Sequence, residues 1–182
     1  MFEHRISELL KAYRDRLAGY LDDAPPGLRD ELVPSLKPGF IFEADLIGLE
    51  EQLPVKLPPS FRSFMKGPTV EVGPEWSDIT LCGNADINTA SGLLLHKEPW
   101  DVDLLQFAQG PAGDPVFFDY RNCLSGSEYP VTVIDHNWAS PEDWQDPVRI
   151  RRWESARWDS FIDLLADVCL DHEIRFRDFG IA

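Results

Sequence analysis

The sequence predicts an α/β fold of the α+β type, in which helices flank a mostly antiparallel central sheet. Three short apolar runs separated by turn residues lie between Leu104 and Trp138, which is typical of neighbouring strands. Amphipathic patterns typical of helices stand on both sides of this segment. Strands that are apolar on both faces need other elements to cover them, and these helices would supply the cover.

An amphipathic helix is predicted near the start of the chain, from Glu3 to Leu21. Its apolar residues recur every three or four positions, and charged residues stand between them. Two prolines and a glycine within residues 22–27 end it. We interpret residues 1–40 as an N-terminal helical extension packed on the core of a domain formed by residues 41–182. Dimerisation through this helix is the alternative, and we expect a monomer or a weak dimer.

A second helical region is predicted from Phe42 to Met65. Pro58 or Pro59 would begin a new short helix within it, because proline is tolerated in a first helical turn. Two apolar sets would face the core, namely Ile47, Leu49, Leu53 and Leu57 in the first part and Phe61, Phe64 and Met65 in the second. Beyond it, Thr69–Val72 and Asp78–Leu81 alternate like edge strands.

The middle of the sheet is predicted between Leu104 and Ile134. Two apolar runs flank the turn-forming residues 110–115 like the arms of a hairpin, and Val131–Ile134 follows as a third strand. Before this segment, Leu93–Leu95 is a further candidate strand. Residues 137–152 have no periodicity and are predicted to form a polar loop.

A last helix is predicted from Ser155 to His172, followed by an extended tail at residues 174–176. Ser155, Asp159 and Ser160 are its alternative capping residues. Its apolar face would consist of Trp158, Phe161, Ile162, Leu165, Val168 and Cys169.

The charge of the chain is strongly negative and unevenly distributed. The net charge is −15, and residues 71–146 contain fourteen acidic residues but only two basic ones. Such a segment repels nucleic acids, which excludes them as partners. It attracts basic proteins, with association rates raised roughly 10- to 10³-fold at low salt. The alternative is an acidic, soluble surface that has no such partner.

A reducing, cytoplasmic location without membrane contact is expected. Cys82, Cys123 and Cys169 are odd in number and widely spaced, which suits neither a disulfide framework nor clustered zinc ligands. No apolar run reaches the roughly 18 to 20 residues of a membrane helix, and acids stand where a signal peptide would be apolar. With 43% hydrophobic and 12% aromatic residues, the composition is that of a folded domain.

The sequence lacks the common reaction motifs. It contains no phosphate-binding glycine loop, no dinucleotide fingerprint, no nucleophile elbow and no His-Glu-x-x-His zinc motif. Asp101 and Asp103 would share one side of a strand, a weak argument for a divalent metal, and we expect no metal and no cofactor. Asp135 and His136 are the most enzyme-like pair, although adjacent residues on a strand point to opposite faces. A small hydrolase built on that pair is a distant alternative.

Four motifs in a fixed order resemble the SUKH superfamily. They are the opening signature in residues 47–53 and 57–65, the central Gly-Asp motif within residues 107–119, the strand of residues 130–136 and the helix of residues 160–165. Two features depart from the family pattern. Pro115 follows Gly113-Asp114, and the polar loop is longer than is typical.

The resemblance implies an α/β fold with a mostly antiparallel sheet, no enzymatic activity and no cofactor. It also implies a role in binding proteins. Bacterial members are commonly immunity proteins that neutralise a cognate toxin, often one that acts on nucleic acids, and fungal relatives regulate cell-wall synthesis. We therefore predict an immunity protein for a basic toxin. A regulatory or scaffolding protein without a toxin partner is the alternative.

The predicted partner-binding surface combines acidic residues with neighbouring aromatic ones. Carboxylates would speed the encounter with a basic partner, and desolvated tryptophans would supply most of the affinity. Trp138 and Trp144 are expected to be exposed because they stand in the polar loop. Neutralisation of the carboxylates by the arginines near Trp153 would remove this argument. The predicted residues are Trp100, Asp101, Asp103, Asp114, Asp119, Asp135, His136, Trp138, Glu142, Asp143 and Trp144.

Overall fold

Four helices and seven strands lie within the described parts of the chain. The computed structural model describes residues 1–20, 36–37, 41–67, 69–70, 80–81, 103–109 and 113–170. The helices are α1 (Phe2–Tyr20), α2 (Glu43–Glu50), α3 (Pro59–Lys66) and α4 (Phe161–Leu170). The strands are β1 (Leu36–Lys37), β2 (Thr69–Val70), β3 (Thr80–Leu81), β4 (Leu104–Gln109), β5 (Pro115–Asp119), β6 (Val131–Ile134) and β7 (Glu154–Trp158).

Strands β3 to β7 form one antiparallel sheet in which spatial order follows chain order. The predicted hairpin is β4 paired with β5, and β6 lies beside β5, so the prediction that this segment forms the middle of the sheet is confirmed. The strand predicted at Thr69 pairs instead with β1 in a separate two-stranded sheet. The α+β class and the mostly antiparallel sheet are likewise confirmed.

One face of the sheet, called the helix face below, is covered by α3 and α4, and α1 packs on these two helices. Phe107 and Phe118 stack across neighbouring strands with ring centroids 4.0 Å apart. Phe61 of α3 meets both rings edge-on, and it also meets Phe161 of α4 at 5.0 Å. Edge-to-face and offset pairs add roughly 0.5–1.5 kcal/mol each to the burial of the rings. The inward orientation predicted for Phe61, Phe64 and Met65 is therefore confirmed.

Helix α1 forms as predicted and contributes to this core. Ile6, Leu9, Leu10 and Tyr13 are buried, in agreement with the spacing of apolar residues in the sequence. Farther along the helix, the Arg16 guanidinium lies 5.0 Å from the centre of the Tyr13 ring and donates a hydrogen bond of 3.0 Å to the carbonyl of Val168. This bond links α1 to the last turns of α4.

Helix α3 starts at Pro59, as predicted, and takes its N-terminal hydrogen-bond partner from a distant part of the chain. Proline has no amide hydrogen, so Ser60 offers the first amide of the helix. Glu128, in the β5–β6 connection, accepts that amide at 2.8 Å and the Ser60 hydroxyl at 2.5 Å. Tyr129 donates its hydroxyl to the carbonyl of Lys56 at 2.9 Å. These bonds hold the segment before α3 against the sheet.

Two predicted helical segments need correction. In α2 the fully buried residue is Leu46, whereas Ile47, predicted to face the core, is exposed. Asp45 accepts the amide of Phe42 at 2.9 Å and caps the helix, which fixes this rotation. The helix predicted from Ser155 begins only at Phe161, because residues 154–158 pair with β6 as strand β7. Pairing with an existing sheet edge overrides the weak helical pattern there.

Ser160 is the residue that caps α4. Its hydroxyl accepts the amide of Asp163 at 3.4 Å and lies 2.6 Å from the Asp163 carboxylate. The candidate strand Leu93–Leu95 and the tail at residues 174–176 lie outside the described residues. Within the described residues, no helix has the length and apolar character to cross a membrane.

Candidate functional site

The second face of the sheet, called the loop face below, is covered by residues 135–153 instead of helices. Leu104, Phe117 and Ile134 point to this side and pack with Trp144 and Ile150 of the covering segment. The Phe117 and Trp144 rings lie 5.9 Å apart. The polar loop predicted here contains two short 3-10 helices, Asp143–Gln145 and Ile150–Trp153. The prediction that Trp144 is exposed is therefore wrong, since its side chain is buried against the loop face.

Carboxylates hold the covering segment in place through short local bonds. Asp143 accepts the amide and the hydroxyl of Ser140 at 3.0 and 2.9 Å and the indole N–H of Trp153 at 3.0 Å. Hydrogen bonds from Ser140 lower the pKa of Asp143. The amides of Val148 and Arg149 in the same way lower the pKa of Asp146. Both groups therefore stay ionised while they fix the backbone.

Asp135 ties the covering segment to the sheet. Its amide donates to the carbonyl of Trp153 at 2.9 Å, and its carboxylate accepts the amide of Asn137 at 3.0 Å. His136 makes a different contact. Its Nδ1 lies 2.6 Å from Oδ1 of Asp114, which also accepts the His136 amide at 3.1 Å. The structure thus pairs His136 with Asp114 and not with Asp135, so the predicted hydrolase pair is not brought together.

The carboxylate of Asp119, the last residue of β5, is buried on the loop face and surrounded by three guanidinium groups. Asp119 is only 2% exposed and lies on the same side of β5 as Phe117. Arg121 binds it through Nε and Nη2 at 2.7 and 2.8 Å, Arg157 through Nη1 at 3.0 Å, and Nη2 of Arg151 lies 3.5 Å away. We call Arg121, Arg151 and Arg157 the arginine cluster.

Burial opposes the charge of Asp119, but the arginine cluster prevails. Desolvation raises the pKa of this carboxyl, and the hydrogen bonds from Arg121 and Arg157 lower it by more, so the net shift is downward. The pKa of Arg121 is raised through the same contact. Asp119 therefore stays ionised inside the molecule and does not lie on its accessible surface. Asp119 was predicted to contact a partner. The structure places its side chain beneath the surface, where it holds the arginine cluster.

The predicted binding residues fall into three groups. Asp103, His136, Trp138 and Glu142 are exposed, Asp114 and Asp143 are half-buried, and Asp119, Asp135 and Trp144 are buried. Trp100 and Asp101 lie outside the described residues. Trp138 is 65% exposed, in agreement with its predicted exposure, and Val148 on the same covering segment is 69% exposed. The exposed residues His136, Trp138 and Glu142 all belong to the covering segment of residues 135–153.

Sequence reasoning missed the basic side of this region. Residues 147–158 contain four arginines and one acidic residue, so a positive stretch follows directly on the acidic segment. The clustering of arginines was visible in the sequence, but its contact with Asp119 depends on strand pairing between β6 and β7. The neutralisation by arginines near Trp153, which would remove the acidic-surface argument, does occur at Asp119. Among the described residues, no arginine lies within salt-bridge distance of Asp114, Asp135 or Glu142.

The described residues contain no group of three or more histidine, cysteine or carboxylate side chains that could hold a metal ion. Cys123 and Cys169 are free thiols, and burial raises the pKa of Cys169 to about 12. A thiol with so high a pKa is not a nucleophile at neutral pH.

Comparison with known proteins agrees with the sequence motifs. The family model SMI1/KNR4 (SUKH-1) matches residues 41–167. The matched range runs from just before α2 to near the end of α4 and includes the middle of the sheet and both covering layers. No curated protein and no solved structure gave a significant match to the chain.

Proposed function

The chain belongs to the SMI1/KNR4 family (SUKH-1), and from that premise we propose that it is a non-enzymatic protein-binding module. In the finer form of the proposal it is an immunity protein that neutralises a cognate, basic, nucleic-acid-targeting toxin inside the cytoplasm. The family resemblance supports the binding role. The chain's acidity supports the basic partner.

The observation that carries the proposal is the exposure of Trp138 on an anchored segment. The indole is 65% exposed, whereas the backbone next to it is fixed by Asp135, Asp143 and their hydrogen-bond partners. Large aromatic side chains on a rigid base are typical binding hot spots, because little conformational entropy is lost when they are covered. A structural tryptophan would be buried, as Trp144 is.

The electrostatic support comes from carboxylates on or near the loop face that no described arginine neutralises. Asp114 and Glu142 have no arginine within salt-bridge distance among the described residues, in contrast to Asp119. Hydrogen bonds from Ser140 lower the pKa of Asp143, so its negative charge stays in place. These groups belong to the acidic excess of residues 71–146 and favour encounter with a basic protein.

The experiment is a capture and rescue assay with the product of the neighbouring gene. We expect the purified chain to bind that product and its co-expression to restore growth. Trp138→Ala should weaken binding at least about tenfold, as hot-spot tryptophans do. Leu124→Ala is the matched control, because Leu124 is also exposed but lies in the β5–β6 connection. If the two variants bound the partner with the same affinity, Trp138 would not be part of the interface.

The salt dependence of the association rate tests whether the partner is a basic protein, which is a separate question from whether the chain binds a protein at all. Raising the salt to physiological ionic strength shortens the Debye length to about 8 Å, and the association rate should then fall steeply. A rate that is independent of salt would contradict electrostatic steering. A bound partner without growth rescue would favour the regulatory or scaffolding alternative.

A further inference from the structure

The arginine cluster has more hydrogen-bond donors than Asp119 can use. Both oxygens of Asp119 are occupied by Arg121, and Arg157 adds a bond to Oδ2. Glu154 accepts Arg157 Nη1 at 3.4 Å and lies 3.6 Å from Arg121 Nη2. Within the described residues, Nε and Nη2 of Arg157 and Nε and Nη1 of Arg151 have no protein acceptor. Asp119 and Glu154 therefore accept only part of the N–H donors of the three guanidinium groups, and Asp103 adds a negative charge near Arg121 alone.

The two outer arginines are accessible and lie close together. Arg151 and Arg157 side chains are 50% and 40% exposed, whereas Arg121 is buried. Nη1 of Arg157 lies 3.0 Å and Nη2 of Arg151 lies 3.5 Å from the same atom, Oδ2 of Asp119. The two guanidinium groups are therefore close neighbours. Asp119 thus serves as an internal anchor that directs both guanidinium groups to one place.

The backbone that carries these arginines is fixed. Arg151 follows the fully buried Ile150 in the second 3-10 helix, and the carbonyl of Trp153 accepts the amide of Asp135. Arg157 belongs to strand β7, opposite Thr132. Arg121 donates to the carbonyl of Pro147 at 2.8 Å and so ties the covering segment to the cluster. A fixed pair of cations needs little reorganisation to bind.

We propose that Arg151 and Arg157 bind the carboxylate of an acidic side chain on a protein partner. The proposal rests on the binding function proposed above and adds a second, positive contact to it. A planar guanidinium matches a carboxylate with two parallel hydrogen bonds, and arginine is enriched at interface hot spots for this reason. The partner would then be basic overall and carry one acidic anchor residue.

A carboxylate is favoured over a nucleic-acid phosphate by the charge of the whole chain. At a net charge of −15, a polyanion is repelled before it reaches the cluster, whereas one carboxylate on a basic protein is not. A second argument is the size of the site. Two exposed guanidinium groups that meet at one place match a single carboxylate better than a run of phosphates.

The test is a titration of the full chain with N-acetyl-Lys-Glu-Lys amide, which carries one carboxylate in a basic peptide, monitored through the arginine Nε–H signals by NMR. We expect the Arg151 and Arg157 signals to move with this glutamate peptide and to stay unchanged with N-acetyl-Lys-Ala-Lys amide. The double variant Arg151→Gln, Arg157→Gln should bind the glutamate peptide roughly tenfold more weakly or not at all. Arg149→Gln is the control, because Arg149 pairs with Asp146 and not with Asp119.

Thermal unfolding of each variant checks that the fold is kept, and Arg157→Lys supplies a milder change. Lysine keeps the charge but loses the planar fork, so the peptide should still bind more weakly. Unmoved arginine signals at millimolar peptide would overturn the proposal. Tighter binding of a short oligonucleotide at the same signals would also overturn it, since the site would then select phosphate.

Failure of this inference can be told from failure of the proposed function. A captured partner that binds the double variant as well as the unchanged chain overturns the carboxylate contact and leaves the binding function standing. The chain could instead bind the glutamate peptide at the arginine cluster but capture no partner. That result would support the carboxylate site and contradict the proposed binding function.

Discussion

The two faces of the central sheet are held together by different physics. The helix face is stabilised by aromatic rings of α3, α4 and the sheet, which pack at centroid distances of 4.0 to 5.3 Å for the closest pairs. The loop face is stabilised by a small apolar cluster and by the buried ion pairs of Asp119. Apolar packing keeps the fold, whereas the polar side leaves charged and aromatic groups available at its rim. Under the proposed function, the helix face would supply most of the stability and the rim of the loop face would supply the binding groups.

The largest effect is expected from removing a ring on the helix face. Phe118→Ala should lower the free energy of unfolding by about 3–5 kcal/mol, because Phe118 is fully buried among other rings and the cavity cannot collapse. Urea unfolding measures the change, and Leu124→Ala is the exposed control. A loss below about 1 kcal/mol would mean that the helix face is not the main source of stability.

The next effect is expected at the buried carboxylate of the loop face. Asp119→Asn should lower the free energy of unfolding at neutral pH by about 2–3 kcal/mol, since charged hydrogen bonds from the arginine cluster are lost. Because the folded pKa of Asp119 is lowered from 3.8, its contribution is present above that value and lost as pH falls through the folded pKa. The difference between the two proteins should therefore narrow in acid. If the difference in the free energy of unfolding between the two proteins stayed constant with pH, ionised Asp119 would not be the group that stabilises the loop face.

A smaller effect is expected at the polar link between the sheet and α3. Glu128→Gln should cost about 1 kcal/mol of folding free energy, the usual value for a capping interaction. Ser60→Ala removes the hydroxyl but keeps the amide donor, and combining the two changes in a double-mutant cycle isolates the pair. Additive effects would show that Glu128 does not act through Ser60.

The smallest effect is expected at the rim of the loop face. His136→Ala should change the free energy of unfolding by less than about 1 kcal/mol, because the His136 side chain that pairs with Asp114 is 41% exposed and ion pairs near the surface contribute little. Binding of the partner should nevertheless weaken if this rim forms the interface. A stability loss as large as that of Asp119→Asn would place His136 in the framework and not in the binding surface.

The helix face was predictable from the sequence because its signals are local. The spacing of Ile6, Leu9 and Tyr13, and the proline step before Phe61, gave the helices and their inward sides. Strand β7 was missed because residues 154–158 carry no strong pattern and gain their strand only by pairing with β6. Without that strand, Arg157 could not be placed beside Asp119. The burial of Trp144 was missed for a similar reason, since its partner Phe117 is distant in the sequence.

The order of the elements also has a consequence for synthesis. Strands β3 to β7 each pair with their neighbour in the chain, so the sheet can grow one hairpin at a time as the polypeptide emerges. Helix α1, made first, packs against α4, made last among these elements, and Arg16 reaches Val168 across 152 residues. Helix α1 can pack on α3 once residues 59–66 have been made, whereas its contacts with α4 must wait until nearly all of the described chain has been translated. A chaperone or the nascent sheet would have to shield the remaining part of its apolar stripe during that interval.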